Sequence, residues 1–398
     1  MFRICFLFVF ASTIFGNQKV VLFNDTSAWY HWGCTGTSTA LKEGIEKLGF
    51  EIVAVPINVT YALREVPPFD EFENRERFYR FCEENGDAVK AIQDSDAVVI
   101  TGEGTIHDLR SGPRALLYLA HISREFFGKH VEIINHSAYP KDDPALSANF
   151  LDNFGPETDR MERELEQARE VYRSAYSKLD FVAIREPASR DEMKKIGIAS
   201  TLSFDCLPVY IRDHYHRLKQ VEKKTIVVGG SVAFSEEGTR QLCKYLETMS
   251  ERGFQIKVLV GAAAYPAKDD QLFADFLKAH CNVKWELVEA SSMEEWLDTI
   301  NQATFLVSGR FHHSIAAFCL NTPFIALNSN THKVHGVCSL VEHPEPLLFS
   351  DPRLLDQLLL QTDAILSSPV TNNQAKMDEI CQLAERNFDG LISLMDLH

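Results

Sequence analysis

The chain has 398 residues, 45% of them hydrophobic and 24% charged, and a formal net charge of −16. At roughly 150 residues per domain this length favours two domains, and the composition excludes disordered and fibrous classes. The acidic balance and the lack of a Lys/Arg cluster exclude nucleic acid as a partner, because such binding needs grouped cations to displace phosphate counterions.

Residues 1–16 carry Arg3, the apolar run Ile4 to Phe10 and the small-residue stretch Ala11-Ser12-Thr13. They read as a signal peptide or short anchor and predict export through the secretory pathway; a misassigned start would leave the protein cytoplasmic. The run is shorter than the roughly 20 apolar residues that a bilayer span requires, and no other segment could span one. The nine cysteines include no Cys-x-x-Cys pair. Neither a zinc site nor a disulfide framework is signalled, and Cys243 and Cys319 read as small buried hydrophobes.

From Lys19 onward, short β-branched runs alternate with longer amphipathic segments, the pattern of βαβ units and a parallel sheet. A first series places strands at Lys19–Asn24, Phe50–Val55, Ala97–Thr101, Val131–Asn135 and Phe181–Ile184, with Pro156–Lys178 as one charged helix. Residues 206–224 are rich in His, Arg and Lys and lack a period, so they read as a linker between domains at 17–205 and 225–350. The second series places strands at Thr225–Val228, Gln255–Val260, Val283–Leu287, Phe305–Ser308 and Phe324–Leu327. Helices are expected over Glu236–Arg252, Asp269–Ala279, Met293–Ala303 and His312–Leu320, and residues 351–398 read as helices that pack back across the boundary. The expected class is α/β, with two doubly wound, Rossmann-like domains facing a cleft. Ligands then meet the loops at the carboxyl ends of the strands.

Three such loops carry chemistry. After Phe305–Ser308, Gly309 leads into a helix, so Arg310 and His312 fall at a helix N-terminus, where free N–H groups and the dipole favour an anion. Arg310 adds a bidentate donor, and His312 exchanges protons near neutral pH. In the competing reading Arg310 pairs with a nearby carboxylate, and one of His312 and His313 only packs. After Ala97–Thr101, Gly102 and Gly104 permit close backbone approach to a ligand. Glu103 between them is either a carboxylate held towards the cleft or a solvated turn residue. After Phe181–Ile184, Arg185 precedes a helix opening near Pro187. It is either a second anion-binding guanidinium or half of a surface pair with Glu186 or Asp191. Trp29 and Trp32, after the first strand, either offer sugar-stacking faces or pack locally, and Lys333 adds a cation after the last. Gly-x-x-x-x-Gly-Lys-Ser/Thr, Gly-x-Ser-x-Gly and His-Glu-x-x-His do not occur.

Taken in order, these loops resemble the polysaccharide pyruvyl transferase family. The likeness is carried by Ser308-Gly309-Arg310-Phe311-His312 opening a small-residue helix, followed by Asn321-Thr322-Pro323-Phe324 and Lys333-Val334. Ile184-Arg185-Glu186-Pro187-Ala188-Ser189, Gly102-Glu103-Gly104-Thr105, and Trp32-Gly33 with Thr39-Ala40-Leu41 complete it. Glu103 stands where many members carry glycine, and His313 where a small residue is usual. The resemblance covers about Lys19 to Val337 and implies a GT-B-like arrangement of the two domains. It also implies transfer of pyruvate from phosphoenolpyruvate onto two hydroxyls of a glycan as a ketal. Arg185, Arg310, Phe311 and His312 would contact phosphoenolpyruvate; Gly102, Gly104 and Lys333 are placed with that donor, and Trp29 and Trp32 with the acceptor. Two guanidiniums and a helix end could hold the donor's phosphate and carboxylate without a metal or cofactor. His312 is assigned as the acid and Glu103 as the base for the sugar. Two other functions suit the same residues: a GT-B-like nucleotide-sugar glycosyltransferase, and a non-catalytic sugar- or anion-binding protein of this fold.

Overall fold

Val20, Val21, Leu22 and Phe23 are all fully buried, as a strand covered on both faces requires. The computed structural model places them in the interior of a parallel sheet. It describes residues 18–29, 31–140, 158–216, 224–231, 233, 235–261, 268–368 and 373–396; the leader-like segment 1–16 lies outside the described residues. In the first domain the strands are β1 (Lys19–Asp25), β2 (Glu51–Pro56), β3 (Ala97–Glu103), β4 (His130–His136), β5 (Phe181–Ile184) and β6 (Thr201–Leu202). They form one six-stranded sheet in the order β2-β1-β3-β4-β5-β6, with every ladder parallel. In the second domain β7 (Thr225–Val228), β8 (Gln255–Leu259), β9 (Glu286–Val288), β10 (Phe305–Ser308) and β11 (Phe324–Ala326) form a five-stranded parallel sheet in the order β11-β10-β7-β8-β9.

The period-2 alternation of strand side chains divides the core. Val21, Phe23, Val98 and Ile100 pack into a cluster on the outer face of the first sheet, and Ile226, Val228, Phe305 and Val307 into one on the outer face of the second. The alternate residues, Val20 and Leu22 with Val227 and Leu306, belong to a third cluster that runs through both domains. Helix Trp32–Lys47 sits in this shared layer and packs against helices Leu207–His214, Met293–Asn301 and Phe311–Cys319. The two doubly wound domains are therefore joined by a continuous apolar layer.

Two expectations change here. The segment read as a linker opens with helix Leu207–His214, whose Leu207, Val209 and Ile211 are buried while Pro208 occupies its first turn. Cys243 is no isolated hydrophobe, because it is bonded to Cys281 across a separation of 38 residues, with Cα atoms 5.0 Å apart. The C-terminal helices cross back as expected. After Gln374–Glu385, the Asn387 carboxamide accepts from Asn135 N at 2.7 Å at the end of β4 and donates to Phe204 O at 2.8 Å. Among the described residues no helix is long and apolar enough to cross a membrane.

Candidate active site

Each sheet changes winding direction beside its first strand, β2 and β3 flanking β1 as β8 and β10 flank β7. Such switch points leave a crevice beyond the carboxyl ends of the strands. Here Thr26, Glu103 and Gly104 from one sheet face Gly309 and Arg310 from the other across a cleft of about 390 Å³. The first helix ties the two walls together, since the Trp32 indole N–H donates to Ala290 O at 3.0 Å.

At the centre of the cleft Asp205, fully buried, joins a residue from each domain. Its Oδ2 accepts from Arg185 Nη1 at 2.7 Å and lies 3.5 Å from His312 Nε2, while Oδ1 accepts from Thr37 at 2.7 Å. Burial pushes the Asp205 carboxyl up, but His312, Arg185 and Thr37 outweigh it and hold the group well below the usual carboxylate range. Asp205 therefore stays ionised and offers an imidazolium at His312 a charge partner. A Cβ at Gly33 would lie 2.2 Å from the His312 side chain, so a glycine is what lets the ring occupy this place. The other ring nitrogen, Nδ1, lies 4.0 Å from Cys34 Sγ. Burial pushes that thiol up, and Glu103 and Asp205 add to the rise, so Cys34 is no thiolate nucleophile.

Arg185 is 3% exposed, which overturns the surface-pair alternative. Its Nε donates to Ser137 Oγ at 2.7 Å, and its plane lies 4.3 Å over the Phe311 ring. Nη2, the remaining edge, points to Gly104 on the cleft wall. Arg310 caps helix Phe311–Cys319 and donates through both Nε, at 3.0 Å, and Nη2 to the same oxygen of Asp270. The competing reading of Arg310 as half of an ion pair is thus part of its structure, and the pair stands on the cleft wall. His312 and His313 separate in environment. His313 is buried against Trp296, with Nδ1 3.0 Å from Ser308 Oγ, and burial, followed by Arg310, His312 and His31, lowers it to about 3.

Glu103 is 5% exposed and accepts from Thr26 Oγ1 at 2.7 Å, so it is no solvated turn residue. Its φ of 41° lies in the left-handed region that glycine occupies freely. A charged residue held there at a strand end is the kind of strain that clusters at functional sites.

Gly104, Phe311, Lys333 and Trp29 all reach the cleft wall. Two expected residues do not. Gly102 makes room for a side chain and not for a ligand, because a Cβ there would meet the His136 ring at 2.6 Å. Trp32 faces Ala290 and packs on the shared core, which removes it from the acceptor side. Sequence reasoning missed Asp205 and Asp270, the two carboxylates that orient the guanidiniums. Pro208, a favoured first-turn residue, is a signal that could have placed a helix start in the segment read as a linker and Asp205 in the loop before it; Asp270 carried no comparable signal.

The geometry agrees with what comparison with known proteins finds. No curated protein matches the chain in sequence. Among solved structures, UDP-N-acetylglucosamine 2-epimerase from Rickettsia bellii matches with a TM-score of 0.56 at 14% identity, covering 96% of this chain and 98% of its own. The UDP-GlcNAc 2-epimerase of Methanocaldococcus jannaschii matches with a TM-score of 0.53 at 13% identity, over 96% of this chain and 100% of that one. At such identities the likeness shows the fold, a GT-B-like pair of Rossmann domains. The family described as polysaccharide pyruvyl transferase matches residues 38–331, which include Glu103, Arg185, Asp205, Arg310 and His312. The chain is a transferase that belongs to the polysaccharide pyruvyl transferase family.

Proposed function

We propose that this cleft moves the pyruvyl group of phosphoenolpyruvate onto two hydroxyls of a glycan as a ketal. The observation that supports it most is the convergence of Arg185 from the first domain with Arg310 and His312 from the second on one cleft. A donor that carries both a phosphate and a carboxylate calls for two guanidiniums on separate elements. Arg185 Nη2 and the Arg310 end of the cleft take these two groups.

His312, with Asp205 as its charge partner, delivers a proton to the methylene carbon, which becomes the methyl group. The adjacent carbon gains oxocarbenium character, and a sugar hydroxyl adds to it while its proton passes to Glu103. The second hydroxyl then attacks the same carbon, the C–O bond to phosphate breaks with its electron pair leaving on phosphate, and His312 recovers a proton from that hydroxyl. Glu103 returns its proton to the phosphate. In sum one hydroxyl proton ends on the methyl group and the other on inorganic phosphate. No cofactor or metal takes part in these steps.

The Cys243–Cys281 disulfide supports an oxidising, secretory location, because such bonds persist outside the reducing cytosol. Incubating the full chain with phosphoenolpyruvate labelled in its pyruvyl carbons, or with UDP-sugars, over a panel of galactosides tests the reading. A labelled ketal and stoichiometric phosphate are expected. Transfer from the nucleotide sugars alone would replace the proposal with the glycosyltransferase alternative, and saturable binding without any product would replace it with a sugar-binding protein.

A further inference from the structure

A second cavity, of about 440 Å³, opens beside the cleft and shares Tyr61, Gly104 and Thr105 with it as walls. Its far side is the start of helix Ser111–Glu125, where Arg110 and Arg114 both line the space. Arg114 Nε is shielded from solvent without a hydrogen-bond partner, and among the described residues no carboxylate pairs with its guanidinium. Arg110 is 3.4 Å from Asp108 and donates to His107 Nε2 at 2.9 Å, while the helix has no acidic residue in its first turn and no side-chain cap. Two guanidiniums against the one carboxylate of Asp108 make this a cationic recess on a chain whose net charge is −16. Leu63 and Val66, which line the same space, are apolar. An unpaired guanidinium partly removed from water costs folding free energy unless a ligand completes it. The combination of cations and apolar side chains in one recess suits a sugar ring that bears an anionic group.

We propose that this recess is an acceptor subsite that reads an anionic group, a carboxylate or a sulfate ester, on the saccharide unit next to the one that receives pyruvate, with Arg114 as the specificity-determining residue. The proposal rests on the pyruvyl-transfer reading for the position of the acceptor, and Tyr61 with Thr105 forms the passage between the two sugar positions. Arg110 and Arg114 line the recess and not the cleft, and the two spaces share only Tyr61, Gly104 and Thr105, so donor affinity and acceptor preference separate experimentally.

The test compares three disaccharides that share a terminal galactose: one neutral throughout, one with glucuronate as the neighbouring unit, and one with a sulfate ester on that unit. Each is followed by kcat/KM for ketal formation and by calorimetric binding without donor. The parent protein should favour at least one anionic disaccharide by roughly tenfold or more, the scale of a charge-assisted contact. Arg114→Gln should erase that preference while the KM for phosphoenolpyruvate and the rate on the neutral disaccharide stay as in the parent. Whether glucuronate or sulfate is favoured identifies the source of the charge. Equal use and equal binding of all three by the parent, or an unchanged preference in Arg114→Gln, would overturn the proposal. Arg110→Gln, at a largely exposed position, provides the second variant should Arg114→Gln fail to fold. Absence of ketal from every disaccharide would sink the pyruvyl-transfer reading alone, because the binding arm still decides the subsite.

Discussion

Arg310 and Asp270 show how one residue serves both fold and site. The bidentate grip of Arg310 on a single Asp270 oxygen holds the guanidinium against the cleft wall at the start of helix Phe311–Cys319. Arg310→Lys keeps the charge and forfeits the planar fork, so kcat/KM for phosphoenolpyruvate should fall by roughly 10- to 100-fold with the fold intact. A lysine variant as active as the parent would make the residue structural. The proposed chemistry separates the neighbouring histidines. His312→Asn should retain donor affinity and lose roughly a hundredfold or more in turnover. His313→Ala should keep turnover within a few-fold but cost about 2–3 kcal/mol of stability, since it empties a buried site beside Trp296. Reversed sensitivities of the two would place the acid at His313. The basic members of this site were legible because strand-end loops in a doubly wound sheet converge on one edge, whatever their separation along the chain. Their acidic partners were not, since Asp205 and Asp270 lie 20 and 40 residues from the guanidiniums they bind and only tertiary folding selects them. Glu103 stands where the family commonly has glycine, and its φ of 41° gives that preference a backbone cause.

At the level of elements, the disulfide is the clearest mechanical device. Cys243 lies in helix Glu236–Glu251 and Cys281 just beyond helix Lys268–His280, so the bond clamps the two helices that flank β8 in sequence. Closing a loop of this separation removes unfolded-state entropy worth about 4 kcal/mol in the chain-entropy account. Cys243→Ser should therefore lower the thermal midpoint, and dithiothreitol should lower that of the parent while leaving that of the variant unmoved; equal responses of the two proteins would show that the bridge contributes nothing. Periodicity located the strands whose side chains are buried on both faces, and β5, β7 and β10 begin and end where their β-branched or aromatic runs do. It erred where packing and pairing part company. Val283 and Trp285 pack on the outer cluster without joining the ladder, so the edge strand β9 begins only at Glu286. β6 has two residues, too few to carry a period, and the helix after it was hidden because its apolar run Leu207–Ile211 is short and passes directly into Arg212, Asp213 and His214.

Across the whole molecule, close packing isolates titratable groups from water in both domains, and this couples folding to pH. His136, behind the cleft at the end of β4, is fully buried; burial, and then the Arg185 charge, lowers it from 6.5 to about 3, as His313 is lowered in the second domain. Below pH 6.5 the unfolded chain takes up a proton at each of these histidines that the folded protein refuses. Stability therefore falls as pH decreases from about 6.5 towards 3, by up to about 1.4 kcal/mol per pH unit for each proton. Asp205, held ionised, adds to the loss once the pH drops through the carboxylate range, whereas Glu186, raised by burial against the pull of Arg185, acts in the opposite sense as pH rises above 4.5. Between pH 6.5 and 5, His121 and His343, also lowered by burial, add to the loss from the two histidines, while Glu186 and Glu132, raised by burial, oppose it. Urea unfolding of the parent and of His136→Gln, measured across that interval, isolates one of them. The variant is expected to start less stable, having lost the contact with Tyr176, and yet to lose less on acidification than the parent. Equal slopes for the two proteins would mean that His136 is protonated in the fold, and with a cation beside Arg185 the charge pattern assigned to the cleft would have to be redrawn.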